Sequence, residues 1–282
     1  MLSGDIHISS SDRLLYKLYK NLLPKIQKAE SSVSTIIQGP LNDRSLRCIP
    51  NYLKYGQVIV SCWQGDDLSK LKDINEEVKI VINDENQLPK LKKKRSEKNP
   101  PVLQFHSTLN GLKVSQSHLS IKTRSDESFP EIGPIVSRIK KNQQSKDSLT
   151  GIYNWFKITT SNIYFRKDKD FKFHPSDHII AGNTKRLTEV FERCIETYSK
   201  KDTTYKSPEQ IIGESAIETY FDPINKKNDV AKKENSIELM KKHFDIIRIK
   251  DLPNRTWTSS LRNYDALRSE EDWCHDINQI GS

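Results

Sequence analysis

Three short β-branched runs recur early in the chain, at 33–37, 57–62 and 78–82, each bounded by turn or charged residues. Runs of this kind read as strands. The first two are separated by residues 43–54, room for a helix with Leu46, Ile49 and Leu53 inward and Pro50 inside it; residues 66–75 offer a shorter helix before the third. Strands alternating with helix-length connections need right-handed crossovers, which lay them side by side in a parallel sheet. Residues 102–112 predict a helix closing at Asn110-Gly111, and 118–122 a fourth strand running straight into Thr123-Arg124-Ser125-Asp126-Glu127. The second half is less regular. It holds a strand-like stretch within 154–166, an amphipathic helix over 187–198, another helix over 208–220, and a lysine- and asparagine-rich connector at 226–233.

The chain has 282 residues, of which 34% are hydrophobic, enough to bury one large core; no internal repeat or clean linker divides it. No apolar run approaches the ~20 residues of a membrane-spanning helix, and the first 30 residues lack the apolar core of a signal peptide. Cys48, Cys62, Cys194 and Cys274 lie too far apart for a C-x-x-C motif and give no disulfide framework, so a reducing, cytoplasmic setting is expected. A net charge of +9 attracts anions without naming them. The densest basic run, 90–98, has no interleaved aromatics to stack on bases, so nucleic acid is not the expected partner. Residues 12–30 carry Leu14, Leu15, Leu18, Tyr19, Leu22, Leu23 and Ile26 as one helical stripe with lysines mostly off it. Such a helix packs on the domain beside it or lies peripherally on an anionic membrane.

Polar residues gather where the predicted strands end. In an open parallel sheet, ligands bind at the carboxyl ends of the strands. Gln38-Gly39-Pro40 follows the first strand, and a glycine there lets the backbone approach a base or phosphate. Neither G-x-G-x-x-G nor a P-loop motif occurs, which removes support for dinucleotide binding and P-loop chemistry. After the second strand, Trp63 can wall a flat ring or pack in the core, while Asp66 and Asp67 can accept from hydroxyls or cap the next helix. Arg124, Asp126 and Glu127 end the fourth strand. A carboxylate there suits Mg²⁺ or Mn²⁺ held against a diphosphate, and Arg124 suits a phosphate; a surface salt-bridge cluster is the competing reading. His174-Pro175-Ser176-Asp177-His178 can supply a base, a metal ligand or a capped loop.

The collinear set Ile36-Ile37-Gln38-Gly39-Pro40, Val60-Ser61-Cys62-Trp63-Gln64-Gly65, Asn83-Asp84, Leu119-Ser120-Ile121-Lys122-Thr123-Arg124-Ser125-Asp126 and Ser176-Asp177-His178-Ile179-Ile180-Ala181-Gly182-Asn183-Thr184 resembles the WavE family. The likeness covers roughly 33–215 and takes in Ser207-Pro208-Glu209-Gln210. It implies a single GT-A-like α/β domain, a Rossmann-type mostly parallel sheet flanked by helices. On this view 1–30 is the N-terminal amphipathic helix, 31–127 the nucleotide-binding half, and 128–282 the acceptor half with the C-terminal helices. The implied activity is glycosyl transfer from a nucleotide-sugar donor to a glycan or lipid-linked glycan acceptor in lipopolysaccharide core or capsule synthesis. Gln38, Gly39, Pro40, Trp63, Asp84, Arg124 and Asp126 would bind the donor. Asp126 and His178 would hold Mn²⁺ or Mg²⁺, and Asp177, with Glu209 as rival, would be the catalytic base. The sequence departs from the family's D-x-D element, with Arg124 in its first slot, and from Asn-x-x-Arg-Gln, here Asn99-Pro100-Pro101-Val102-Leu103-Gln104. The other reading, resting on net charge, the basic run at 90–98 and the amphipathic helix at 12–30, is a non-catalytic basic module for nucleic acid or anionic membrane.

Overall fold

A computed structural model describes residues 33–71, 77–88, 101–144, 156–162, 173–200, 206–221 and 236–252. The expected helix at 12–30, the basic run at 90–98 and the connector at 226–233 lie outside the described residues. The first four strands are β1 (Val33–Gln38), β2 (Val58–Trp63), β3 (Val78–Asn83) and β4 (Leu119–Arg124). Each was anticipated to within a residue or two; a strand covered on both faces, as β1, β2 and β4 are, reads as a continuous apolar run, while the edge strand β3 is exposed at Lys79, Ile80 and Ile82 and shows by its β-branched residues. All six residues of β1 and of β2 are buried. The connection after β1 breaks into two short helices, α1 (Asp43–Leu46) and α2 (Ile49–Leu53), with Pro50 in the first turn of the second, where its missing N–H costs nothing. Between β2 and β3 the described residues hold only a 3₁₀ turn, Leu68–Leu71.

Helix α3 (Pro101–Lys113) does not end at Asn110-Gly111 but runs through it. Gly111 is a contact point rather than a terminus: a Cβ there would lie 2.5 Å from Ile36 Cγ2, so the absent side chain lets the helix seat on β1. Beyond β4 come α4 (Gly133–Gln144), β5 (Ile158–Ser161), β6 (Ile179–Asn183), α5 (Thr184–Lys200), α6 (Pro208–Phe221), α7 (Ser236–His243) and β7 (Phe244–Ile247). Together the strands make one seven-stranded sheet in the order β3-β2-β1-β4-β6-β5-β7. Pairs β1–β2, β2–β3, β1–β4 and β5–β7 are parallel; β6 runs against both its neighbours.

The pleat separates two cores. Val33, Ile37, Val58, Val60 and Ile121 face α2 and α4, where Tyr52, Ile135 and Ile139 close over them. Ile36, Ile59, Ile180 and Ile246 face α3, α5, α6 and α7 through Phe105, Leu109, Phe191, Ile212 and Leu239. The second layer covers β4 at Lys122, whose register partner on β1 is Ile36. That placement brings a charged side chain, with none of its surface exposed, beneath α3.

Candidate functional site

Because β1, β2, β3 and β4 are parallel, their last residues Gln38, Trp63, Asn83 and Arg124 share one edge of the sheet. The reversed β6 brings its beginning to that same edge, where Ile179 pairs with Thr123, and so delivers Asp177 and His178 beside Arg124. Antiparallel entry, rather than proximity in sequence, unites the two predicted halves of the site.

The floor of the edge is backbone. Ser125 N–H donates to the Gln38 carbonyl at 2.9 Å, and Gly39 N–H to the Ser61 carbonyl at 3.1 Å. Gly39 has φ +117°, and a Cβ on it would stand 2.7 Å from Ser125 Oγ, so glycine is required both by its backbone and by its neighbour. Pro40 is exposed beside it. Asp66 Oδ2 accepts from Leu41 N–H at 3.2 Å and Trp63 N–H at 2.9 Å, tying the loops after β1 and β2 together. Trp63 itself is buried, 6% exposed. Asp84 caps the 3₁₀ turn Glu85–Gln87, accepting from Asn86 N–H at 2.8 Å. Asp67 likewise accepts from Ser69 N–H and Oγ–H, the capping role its sequence context allowed.

Arg124 organises the charged side chains. Its Nε and Nη2 donate to Asp126 Oδ1 and Oδ2, each at 2.9 Å, a two-point fork. Its Nη1 donates to Asp177 Oδ2 at 3.3 Å, and its Nε lies 3.6 Å from Glu127 Oε1. Gln104 Nε2 on α3 donates to Asp177 Oδ2 at 2.7 Å, and Lys122 Nζ donates to the Asp177 backbone carbonyl. His178 Nδ1 bonds Glu127 Oε1, and its Nε2 lies 3.8 Å from Asp177 Oδ1. Thus three acidic and three basic side chains interlock.

Electrostatics follow from this pairing. Burial pulls Lys122 down to about 8 against the charge of Asp177. Burial pushes Asp177 up, but the charges of His178, Lys122 and Arg124 and the Gln104 hydrogen bond outweigh it and hold the carboxylate ionised. Asp126 is likewise raised by burial and lowered further by the Arg124 hydrogen bond and charge. His178 is lowered by burial and raised more by Glu127. Glu209, in the first turn of α6, behaves oppositely. Burial and then the negative charge of Asp177 push it above the usual carboxylate range, and His174 Nε2 stands 3.7 Å from its Oε2.

Gln104 and Lys122 had no role assigned from sequence, and His174 only a share in the segment read as a base, a metal ligand or a capped loop. A lysine inside the otherwise uncharged strand Leu119-Ser120-Ile121-Lys122-Thr123 was the available signal, since a buried parallel strand rarely admits one without a partner. Gln104 gave none, because it matters only through α3 packing over the strand ends.

Asp126 and His178 do not present a metal site in this arrangement. Both oxygens of Asp126 are taken by Arg124, and both nitrogens of His178 face carboxylates. Glu127 Oε2 and Asp177 Oδ1 accept no hydrogen bond, yet both side chains are only 2% exposed. Among the described residues, no group of three His, Cys, Asp or Glu side chains is placed to hold a metal ion.

A sheet of this order, with one reversed strand and polar groups converging on its carboxyl edge, makes a mostly parallel α/β domain flanked by helices. The chain belongs to the WavE lipopolysaccharide synthesis family, whose model matches residues 33–248. No curated protein matches its sequence significantly. Among solved structures it is similar to glucosyl-3-phosphoglycerate synthase from Mycobacterium tuberculosis in complex with Mn²⁺, UDP-glucose and phosphoglyceric acid, at 12% identity, covering 89% of this chain and 79% of that one with a TM-score of 0.45. It is also similar to HddC from Yersinia pseudotuberculosis complexed with GMP-PN, at 12% identity over 86% of this chain and 100% of that one, TM-score 0.38. Both likenesses are distant. Among the described residues no helix is long and apolar enough to cross a membrane.

Proposed function

We propose that the protein is a glycosyltransferase that moves a sugar from a nucleotide-sugar donor to a growing surface glycan, a lipopolysaccharide core or capsule, at the cytoplasmic side of a membrane. The observation that carries this reading is the Arg124 fork beside Gly39, at the strand edge where an α/β sheet binds its ligand. The family's role in lipopolysaccharide synthesis supports it. Residues 31–127 would hold the donor, with its diphosphate at Arg124 and its nucleoside along Gln38, Gly39, Pro40, Asp84 and the buried Trp63 wall. Residues 128–282 would take the acceptor, and the lysine-rich sequences at 12–30 and 90–98 would meet an anionic membrane surface.

In the reaction the anomeric C–O bond to the diphosphate breaks and the acceptor oxygen bonds to that carbon. Positive charge fixed at the leaving oxygens stabilises the transition state. In an inverting course the acceptor hydroxyl loses its proton to a base. We assign that role to Glu209, because burial and the charge of Asp177 raise its affinity for a proton and its side chain is 19% exposed, against 2% for Asp177. Asp177, sunk and held ionised by three cations, acts on Glu209 through its charge.

A thermal-shift panel of nucleotide sugars tests the reading. A donor at 100 times its Kd should stabilise by about 2.7 kcal/mol. No shift from any nucleotide sugar, over a panel spanning uridine, guanosine, cytidine, adenosine and thymidine diphosphate sugars, would remove it.

A further inference from the structure

We propose that the guanidinium of Arg124, rather than a divalent ion, is the cation that receives the donor diphosphate, so that nucleoside diphosphates bind this protein without Mn²⁺ or Mg²⁺. This rests on the donor-site reading above and specifies its charge chemistry. A guanidinium carries five N–H donors. Arg124 spends three, two on Asp126 and one on Asp177, and two remain. Its side chain is 33% exposed and that of Asp126 32%, whereas Glu127 and Asp177 beside them are 2% exposed, so Arg124 is the cation of the cluster that an incoming anion meets, with Asp126 at its side. The fork to Asp126 holds the guanidinium plane, leaving its spare N–H groups fixed for phosphate oxygens.

A divalent ion on Asp126 faces the opposite situation. It must displace two charge-assisted hydrogen bonds of 2.9 Å and then sit next to the arginine it has displaced. The remaining carboxylates do not take its place. Glu127 is bound by His178 and Arg124, and Asp177 by Arg124 and Gln104. The cluster is therefore charge-balanced internally, with Lys122, Arg124 and His178 against Asp126, Glu127 and Asp177, and Arg124 is the cation among its partly exposed members, paired there with Asp126. Arg124 stands in the first position of the D-x-D element, where the family likeness implies an aspartate, and this substitution exchanges a metal-binding pair for a phosphate-binding one.

Isothermal titration of the full chain with UDP, GDP, CDP, ADP and dTDP, once in EDTA and once in Mn²⁺, decides the matter. At least one diphosphate should bind in EDTA, with a Kd within about threefold of its value in Mn²⁺. Arg124→Lys, which keeps the charge and loses the fork, should weaken that diphosphate about tenfold, the loss of one charge-assisted hydrogen bond, while the matching monophosphate changes far less. Arg124→Gln, checked for native circular dichroism, should weaken it further. Binding that appears only in Mn²⁺ overturns the inference and leaves the transferase reading standing. Wild-type affinity in both folded variants also overturns it. Absence of binding by every diphosphate in both buffers overturns the donor-site reading itself.

Discussion

Gly39→Ala is the substitution whose cost the geometry defines best. Two separate penalties act at this residue. The backbone sits at φ +117°, where an L side chain is strained by roughly 1–3 kcal/mol. The new Cβ would also stand 2.7 Å from Ser125 Oγ, while Ser125 Cβ at 3.7 Å is ordinary contact. Ser125 is buried, 4% exposed, so its hydroxyl has little room to yield, and overpacking of this kind adds about 1 kcal/mol or more. We expect Gly39→Ala to lose about 2–4 kcal/mol in urea unfolding at unchanged m-value. Ser125→Ala removes only the clashing oxygen. In that background Gly39→Ala should cost less, giving a coupling of about 1 kcal/mol between the two sites. A cost for Gly39→Ala below about 0.5 kcal/mol, within the range of an inert surface change, would refute the strain argument. Additive single mutants would refute the contact. Since Ser125 lies between Arg124 and Asp126, the same alanine should weaken nucleoside diphosphate binding, measured by titration.

Three further outcomes follow from the site and its support. Glu209 is raised above its unfolded pKa, so the native state pays to ionise it. Glu209→Gln should therefore raise Tm at pH 7 relative to wild type, lose that advantage as pH falls toward the unfolded carboxylate range, and abolish transfer. His178 has a raised pKa, so its stabilisation is full below the unfolded value near 6.5 and is lost as pH rises through the folded one. The stability gap between wild type and His178→Gln should thus narrow from pH 6 upward, followed by chemical denaturation in a pH series. Gly111→Ala places a methyl 2.5 Å from Ile36 Cγ2 and should destabilise by about 1–2 kcal/mol in urea, overpacking outweighing the gain in helix propensity.

Strands β1, β2 and β4 were legible because burial on both faces leaves an apolar run in the sequence, and the edge strand β3, exposed at Ile80 and Ile82, was legible from its β-branched residues. Strand β6 was not read as a strand. Its five residues Ile-Ile-Ala-Gly-Asn carry no period, and its antiparallel direction follows from tertiary pairing with β4, not from any local signal. The same applies to β7, four residues whose partner β5 lies far earlier in the chain. Asn110-Gly111 was misread as a helix stop because turn chemistry and close packing ask for the same residue. At the site, Arg124 and Asp126 were visible as polar residues ending a strand. Their mutual pairing stood only as the competing salt-bridge reading, because a D-x-D-like spacing is silent on whether a neighbouring arginine takes the carboxylate. Sequence order left Asp177 and Glu209 as rivals for the base; what separates them in the fold is that the cluster surrounds Asp177 with cations, the ground on which Glu209 is proposed.

The central claim, transfer from a nucleotide sugar, is met most directly by release of the nucleoside diphosphate. The purified chain is incubated with each nucleotide sugar in turn, with and without lipopolysaccharide-core or capsular oligosaccharide, and the freed diphosphate is measured against time. One donor should release its diphosphate, faster when the acceptor is added, with the sugar recovered on the acceptor by mass spectrometry. Release should fall to background in Glu209→Gln while that variant still binds the donor, since the group acts on the acceptor proton. If no donor is consumed by the folded wild-type protein with any acceptor, or if Glu209→Gln transfers at the wild-type rate, the account of this site as a glycosyltransferase centre is contradicted.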